Sequence, residues 1–183
     1  LAAKLSIGAV ASGFALTLIF IGFNGWEPMR REVILPWLDV GDLQVDFGLR
    51  LDPLSLMMFL IVTGVGGAIH VYSYGYMHED RSVPRYFASL SLFTFSMLGI
   101  VLANNLLMMF IFWELVGVSS YLLIGFWHEK ASAADACKKA FLTNRVGDFG
   151  FMLGILMVWS LGGSLNFSVL QDELRSEEHT SEL

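Results

Sequence analysis

Apolar residues run along this chain in stretches too long for the helices of a soluble core. Leu5 to Phe23 contains no charged residue, and its length is close to the ~20 residues that a hydrocarbon slab about 30 Å thick requires. A second span runs from Pro53 to Met77. It is introduced by "LDPLSL", where Asp52 is placed to cap a helix and Pro53 falls in a first turn that tolerates proline. Tyr86 to Trp127 is 42 residues with a single charge, too long for one crossing. The pair Asn104-Asn105 divides it into spans over 86–103 and 106–127, joined by a very tight turn. A fifth span covers about 135–159 and carries Arg145 and Asp148 in its first half. The pattern predicts an all-α membrane protein, a bundle of five transmembrane helices.

Residues 24–52 follow another rule. Leu43, Val45, Phe47, Leu49 and Leu51 alternate with Asp42, Gln44, Asp46, Gly48 and Arg50, a period of two that marks a strand. Together with the preceding "VILPWLDV" and the break at Gly41-Asp42, this predicts a short β-hairpin on one membrane surface, an ordered connection between the first two helices.

Composition agrees with the pattern. With 55% hydrophobic and 15% charged residues, the chain lies outside the range of ordinary soluble domains. The net charge of −6 comes partly from Asp172, Glu173, Glu177 and Glu178, diluted by Arg175, and forms no patch for nucleic acid. Cys137 is the single cysteine; it has no disulfide partner and no metal-ligand spacing around it, and it reads as a small filler. The first span is too long for a signal-peptide core and lacks a clear cleavage site. There is no initiator methionine, so the chain reads as a fragment. Its last nine residues, "RSEEHTSEL" over 175–183, resemble the translation of a sequencing adapter and are expected to form no domain.

Lysine and arginine set the orientation. Lys4, Arg81, Arg85, Lys130, Lys138 and Lys139 fall on one side, and only Arg30, Arg31 and Arg50 on the other. The hairpin and the Asn-Asn turn are therefore expected outside, with the "MHEDRSVPR" and "HEKASAADACKK" loops in the cytoplasm.

Within "MMFIFWELVGVSSYLLIGFW" stands one acid, Glu114, nine positions past Asn105. At about 1.5 Å per residue this is ~13.5 Å into the slab, close to its midplane. An acidic side chain at that depth costs about 2.5–3.5 kcal/mol, so it is kept facing protein or water and has a task; the bland alternative is a hydrogen-bonded packing contact. Arg145 and Asp148 are three apart, on neighbouring turns of one face, where they can satisfy each other. Lys138 and Lys139 precede them near the boundary, where their stems can reach the interface; Lys138 also shares a face with Arg145, seven positions on. His70 lies toward the end of its span before Tyr72, Tyr74 and Tyr76, which form an interfacial aromatic belt, and it reads as structural.

"FWELVGVSSYLLIGFW", "KKAFLTNRVGDFGF" and "LDPLSL" resemble the L subunit of respiratory complex I, an antiporter-like member of the proton-pumping NADH:quinone oxidoreductases. The resemblance covers nearly all of residues 1–174. Related chains occur in the photosynthetic counterpart of complex I, in multisubunit cation/proton antiporters and in membrane-bound hydrogenases.

The resemblance implies a larger subunit of two inverted repeats with ionisable groups near the bilayer centre, of which this chain holds the early helices. It implies that Glu114 is the proton-carrying or ion-pairing carboxylate, partnered by a lysine on a later helix, with Asp148, Arg145 and Lys139 as supporting polar groups. Partners would be other membrane-arm subunits and the lipid bilayer of a bacterial inner membrane. No cofactor is expected in this chain, which has no glycine-rich nucleotide loop, cysteine cluster or paired haem histidines; NADH, flavin, iron–sulfur clusters and quinone belong to other subunits. The alternative is a cation/proton antiporter or hydrogenase subunit.

Overall fold

The computed structural model describes residues 1–25, 31–40 and 43–172. The expected Gly41-Asp42 break, Arg30 and the terminal nonapeptide lie outside the described residues. The elements are α1 (Ala2–Asn24), β1 (Arg31–Val40), β2 (Leu43–Leu51), α2 (Pro53–Tyr76), α3 (Val83–Leu102), α4 (Leu106–Ile124) and α5 (Ala131–Gly162). All five helices are long and apolar enough to cross a membrane.

Helix ends fall where side chains can replace missing backbone partners. Asp52 caps α2, its carboxylate accepting from the Ser55 amide at 2.8 Å and the Ser55 hydroxyl at 2.9 Å. Asn105 caps α4 by accepting from the Met108 amide at 2.7 Å. α3 starts earlier than the hydrophobic run because Pro84 sits in its first turn, where its missing N–H costs nothing. α5 is 32 residues long, about 48 Å at 1.5 Å per residue. It outruns the apolar span because the alanine-rich "ASAAD" start is itself a good helix former.

Serine, threonine and histidine line much of the interior, while large apolar side chains face outward. Thr63, His70, Ser73, Ser96 and Ser119 are buried, and Leu5, Leu16, Phe23, Phe95, Val146 and Leu161 are exposed. That inversion suits lipid, which gives apolar side chains no reason to turn inward; small residues and hydroxyl groups then make the helix contacts. Gly64 admits the Phe14 ring of α1, and Val10 packs over Gly67. Gly99 of α3 lies against the Phe112 ring of α4, where a Cβ would collide. α1 packs on α2 and α3, α3 on α4, and α4 on α5.

The β1–β2 hairpin is antiparallel, pairing Arg31 with Leu51 and Val40 with Leu43, with a bulge between Pro36 and Leu38. Proline has no N–H for a ladder bond, so the irregularity falls where pairing would fail anyway. Two strands alone are marginal in water, and this pair is held by the helix ends. Leu49 bridges Ala103, the Asp46 carbonyl accepts from Asn105 at 2.6 Å, and Gly48 lies against Asn104. The same knot ties down the chain after α5, since the Leu106 amide donates to the Leu165 carbonyl at 3.0 Å and the Phe167 amide to the Asn104 carbonyl at 3.1 Å.

Arg50 lies 3.2 Å from the Asp52 carboxylate and 3.9 Å from Glu32. Burial works against an ionised Asp52, but the Ser55 hydrogen bonds and the Arg50 charge outweigh it and hold the carboxyl below its ordinary value of 3.8. A lowered value means that the cap is fully present above 3.8 and is lost only as pH falls further. Amide-exchange protection at the start of α2, relative to the intrinsic rate at each pH, is therefore expected to stay flat down to that pH and then fall. Asp52→Asn keeps the cap but should abolish this pH dependence; an unchanged acid profile in that variant would assign the transition elsewhere.

Candidate functional site

α4 and α5 meet near their midpoints, and the sparse charges of the bundle meet there. Glu114 is the ninth of the nineteen residues of α4, and Arg145 lies near the middle of α5. The Glu114 carboxylate and the Arg145 guanidinium are in direct contact. Asp148, one turn along α5, has a carboxylate oxygen 3.7 Å from Arg145 and accepts from the Trp113 indole N–H at 3.0 Å. One cation thus stands between two carboxylates.

The elements explain the arrangement. Trp113 and Glu114 are consecutive, about 100° apart around α4, so they reach different turns of α5. Arg145 and Asp148 are three apart and share the facing side. Aromatic rings close around them: the guanidinium lies 4.5 Å from the Phe141 centroid, and Trp113 and Phe110 pack edge-on against Phe151 at 5.7 and 5.6 Å. The Asp148 side chain is 9% exposed, that of Glu114 23% and that of Arg145 38%. The cation is thus the most accessible member.

Sequence reasoning paired Arg145 locally with Asp148 and placed the counter-ion of Glu114 on a later helix. In the structure the Arg145–Asp148 pair forms as expected, and the α4–α5 packing also brings Arg145 to Glu114. Lys139 is not part of the cluster: its side chain is exposed, six positions before Arg145 and about 9 Å away along the axis. Lys138 pairs with Asp135 at 3.8 Å on the exposed surface, so the stripe from Lys138 to Arg145 is interrupted. Trp113 was missed. Its signal was its position beside the acid, since an indole N–H within the hydrocarbon demands an acceptor. Phe141, four residues before Arg145, was legible by spacing alone.

Chemically the cluster is a carboxylate whose proton affinity depends on where one guanidinium leans. At an effective dielectric near 20, a unit charge ~4 Å away is worth about 4 kcal/mol, and the effect halves at twice the distance.

Two family models match the chain: "NADH-Ubiquinone oxidoreductase (complex I), chain 5 N-terminus" over residues 37–87, and "NADH:quinone oxidoreductase/Mrp antiporter, TM" over residues 103–182. The chain is 45% identical, over 93% of its length, to the chloroplastic NAD(P)H-quinone oxidoreductase subunit 5 of Chaetosphaeridium globosum. It belongs to the family of antiporter-like membrane subunits found in NADH:quinone oxidoreductases and Mrp antiporters.

NADH-quinone oxidoreductase subunit L of Mycobacterium tuberculosis is also 45% identical, over 89% of the chain. The chain spans about a quarter of the length of these relatives, 26% of each. Among solved structures, one of the Mrp complex from Dietzia sp. DQ12-45-1b shares the fold with a TM-score of 0.70, at 21% identity and covering 92% of this chain and 20% of that one. The match over 103–182 includes Glu114, Lys139, Arg145 and Asp148, and the match over 37–87 includes most of the hairpin and all of α2.

Proposed function

We propose that this chain is part of a proton-translocating membrane subunit of an NADH:quinone oxidoreductase, with Glu114 as its proton-exchanging carboxylate, Arg145 as the movable counter-charge and Asp148 as the second resting place for that charge. The observation that carries this is the Glu114–Arg145 contact at the middle of two membrane-length helices, with Asp148 3.7 Å from the same guanidinium. Lys139, outside the cluster, is a supporting polar group at the membrane boundary. Moving one charge across the membrane costs ~2.3 kcal/mol per 100 mV, so the driving energy comes from quinone reduction in neighbouring subunits, which also hold NADH, flavin and iron–sulfur clusters. The chain itself carries no redox site. It lies in a bacterial inner membrane with its hairpin outward, against other membrane-arm subunits. A lysine from a later helix would compete with Arg145 for Glu114 and so set which carboxylate the guanidinium occupies.

Glu114→Gln in the intact complex tests this. Quinone reduction in uncoupled vesicles is expected to persist while the protons moved per electron pair fall. A subunit that merely braces the membrane arm would keep the full stoichiometry, and that result would overturn the reading.

A second reading, a cation/proton antiporter or membrane-bound hydrogenase subunit, is favoured by the Mrp likeness of the fold and by the family description over residues 103–182. Proton exchange driven by a cation gradient without quinone would establish it.

A further inference from the structure

We propose that His70 is a second proton-exchanging group of this subunit, taking up and releasing a proton at Nε2 between α1, α2 and α3, away from the Glu114 cluster. This rests on the proton-translocating reading above.

The His70 side chain is fully enclosed, at 0% exposure. Its Nδ1 lies 2.7 Å from the Gly66 carbonyl one turn back on α2. A carbonyl only accepts, so Nδ1 carries the hydrogen and the neutral ring presents a bare lone pair at Nε2. Among the described residues, that nitrogen is buried with no hydrogen-bond partner. Leaving a polar atom in this condition costs about 1–3 kcal/mol, a cost that leucine or phenylalanine at the same position would avoid. Packing therefore does not account for the choice of histidine.

The surroundings suit passage of a proton. Phe87 of α3 stands level with the ring at 6.2 Å. One turn toward the Tyr76 end, Ser73 is on the same face of α2, with its hydroxyl 3.2 Å from the Tyr86 hydroxyl. One turn in the other direction on α3, Ser91 meets Ser6 of α1 at 2.6 Å. Hydroxyl groups thus lie on both sides of the ring's level, and a hydroxyl can both give and accept.

The charged and titratable groups on the three packed helices are few. α1 has Lys4, which is exposed; α2 has the exposed Tyr72, Tyr74 and Tyr76; α3 has Tyr86, bound to Ser73, and Arg85, whose guanidinium donates to the Phe126 carbonyl at 2.9 Å. None of the three helices bears a carboxylate. As the Nε2–H bond forms, giving the imidazolium, one hydroxyl O–H bond breaks and that oxygen takes a replacement proton from its own hydrogen-bonded neighbour; the Nε2–H bond breaks when the proton leaves. The Nδ1 hydrogen stays with Gly66.

The test uses the intact complex in sealed vesicles, reading quinone reduction and proton movement together in His70→Asn, His70→Gln and Glu114→Gln. Asparagine can keep the donation to Gly66 and glutamine can fill the Nε2 position, yet neither exchanges protons. Both are expected to retain uncoupled quinone reduction and to lose part of the protons moved per electron pair. Full stoichiometry in both His70 variants, with a loss in Glu114→Gln, overturns this inference alone. Full stoichiometry in all three overturns the proton-translocating reading as well. Should neither His70 variant assemble, histidine-labelled infrared difference spectra of the unaltered complex during turnover decide it: a transient imidazolium band supports the proposal, and its absence overturns it.

Discussion

Arg145→Met is expected to cause the largest loss of assembled complex of any single substitution on α4 or α5. It removes the one cation between Glu114 and Asp148, leaving two carboxylates near the middle of the membrane with a single indole N–H between them. Breaking a buried ion pair from one side typically costs ~3–5 kcal/mol. An acidic group at the slab centre costs ~2.5–3.5 kcal/mol on insertion scales, and taking up a proton relieves part of that. The substitution should therefore trap Glu114 as the acid, lowering both the yield of complex and its proton movement. Combining it with Glu114→Gln removes one of the two orphaned charges and is expected to restore assembly in part without restoring proton movement. The check is a double-mutant cycle on the amount of intact complex in membranes. Losses that simply add would mean that the two side chains do not interact in the working protein.

Asn105→Ala is expected to have the largest effect at the other end of the bundle. The Asn105 side chain is fully buried and makes three hydrogen bonds: it accepts from the Met108 amide at 2.7 Å and donates to the Asp46 carbonyl at 2.6 Å and to the Asn104 side-chain oxygen at 2.8 Å. Losing an N-cap costs ~1 kcal/mol, and stranding a buried partner adds ~1–3 kcal/mol. A destabilisation of about 2–4 kcal/mol follows, concentrated where β2 docks on the α3–α4 turn. Amide exchange read by mass spectrometry should rise in β2 and the first turn of α4, and remain unchanged around Glu114. Asn105→Ser, which can still cap, should recover part of the α4 protection but leave β2 loose. Undisturbed exchange in β2 of the alanine variant would show that the hairpin is held by its other contacts.

The two sites differed in how far they could be read in advance. Asn104-Asn105 was legible as a turn because a polar pair interrupts an apolar stretch, and the Asp52 cap because aspartate precedes proline at a helix start. What the asparagines hold was not legible: Asp46 is 59 positions away from Asn105, and no local pattern encodes that distance. The spacing of Arg145 and Asp148 was visible, but spacing on one helix says nothing of a neighbour's acid. Hence the local pair was expected and formed, while the contact between helices was not foreseen. Lys139 was grouped with Arg145 and Asp148 by the family resemblance, yet six residues of helix place it on another level. His70 read as structural because nothing local marks which of its nitrogens finds a partner.

Five crossings, the hairpin between the first two and the depth of Glu114 were set by the linear order of apolar, polar and alternating residues. Each depends only on chain length along one axis, on a repeat of two or 3.6 residues, and on the hydrocarbon's refusal of unpaired polar groups. Which charges face each other was decided by packing. The rotation of each helix about its axis turns on where glycines let rings approach, as Gly99 admits Phe112 and Gly64 admits Phe14. That angle brings Arg145 to Glu114, Asp148 to Trp113, and His70 to a place where its second nitrogen has no partner among the described residues.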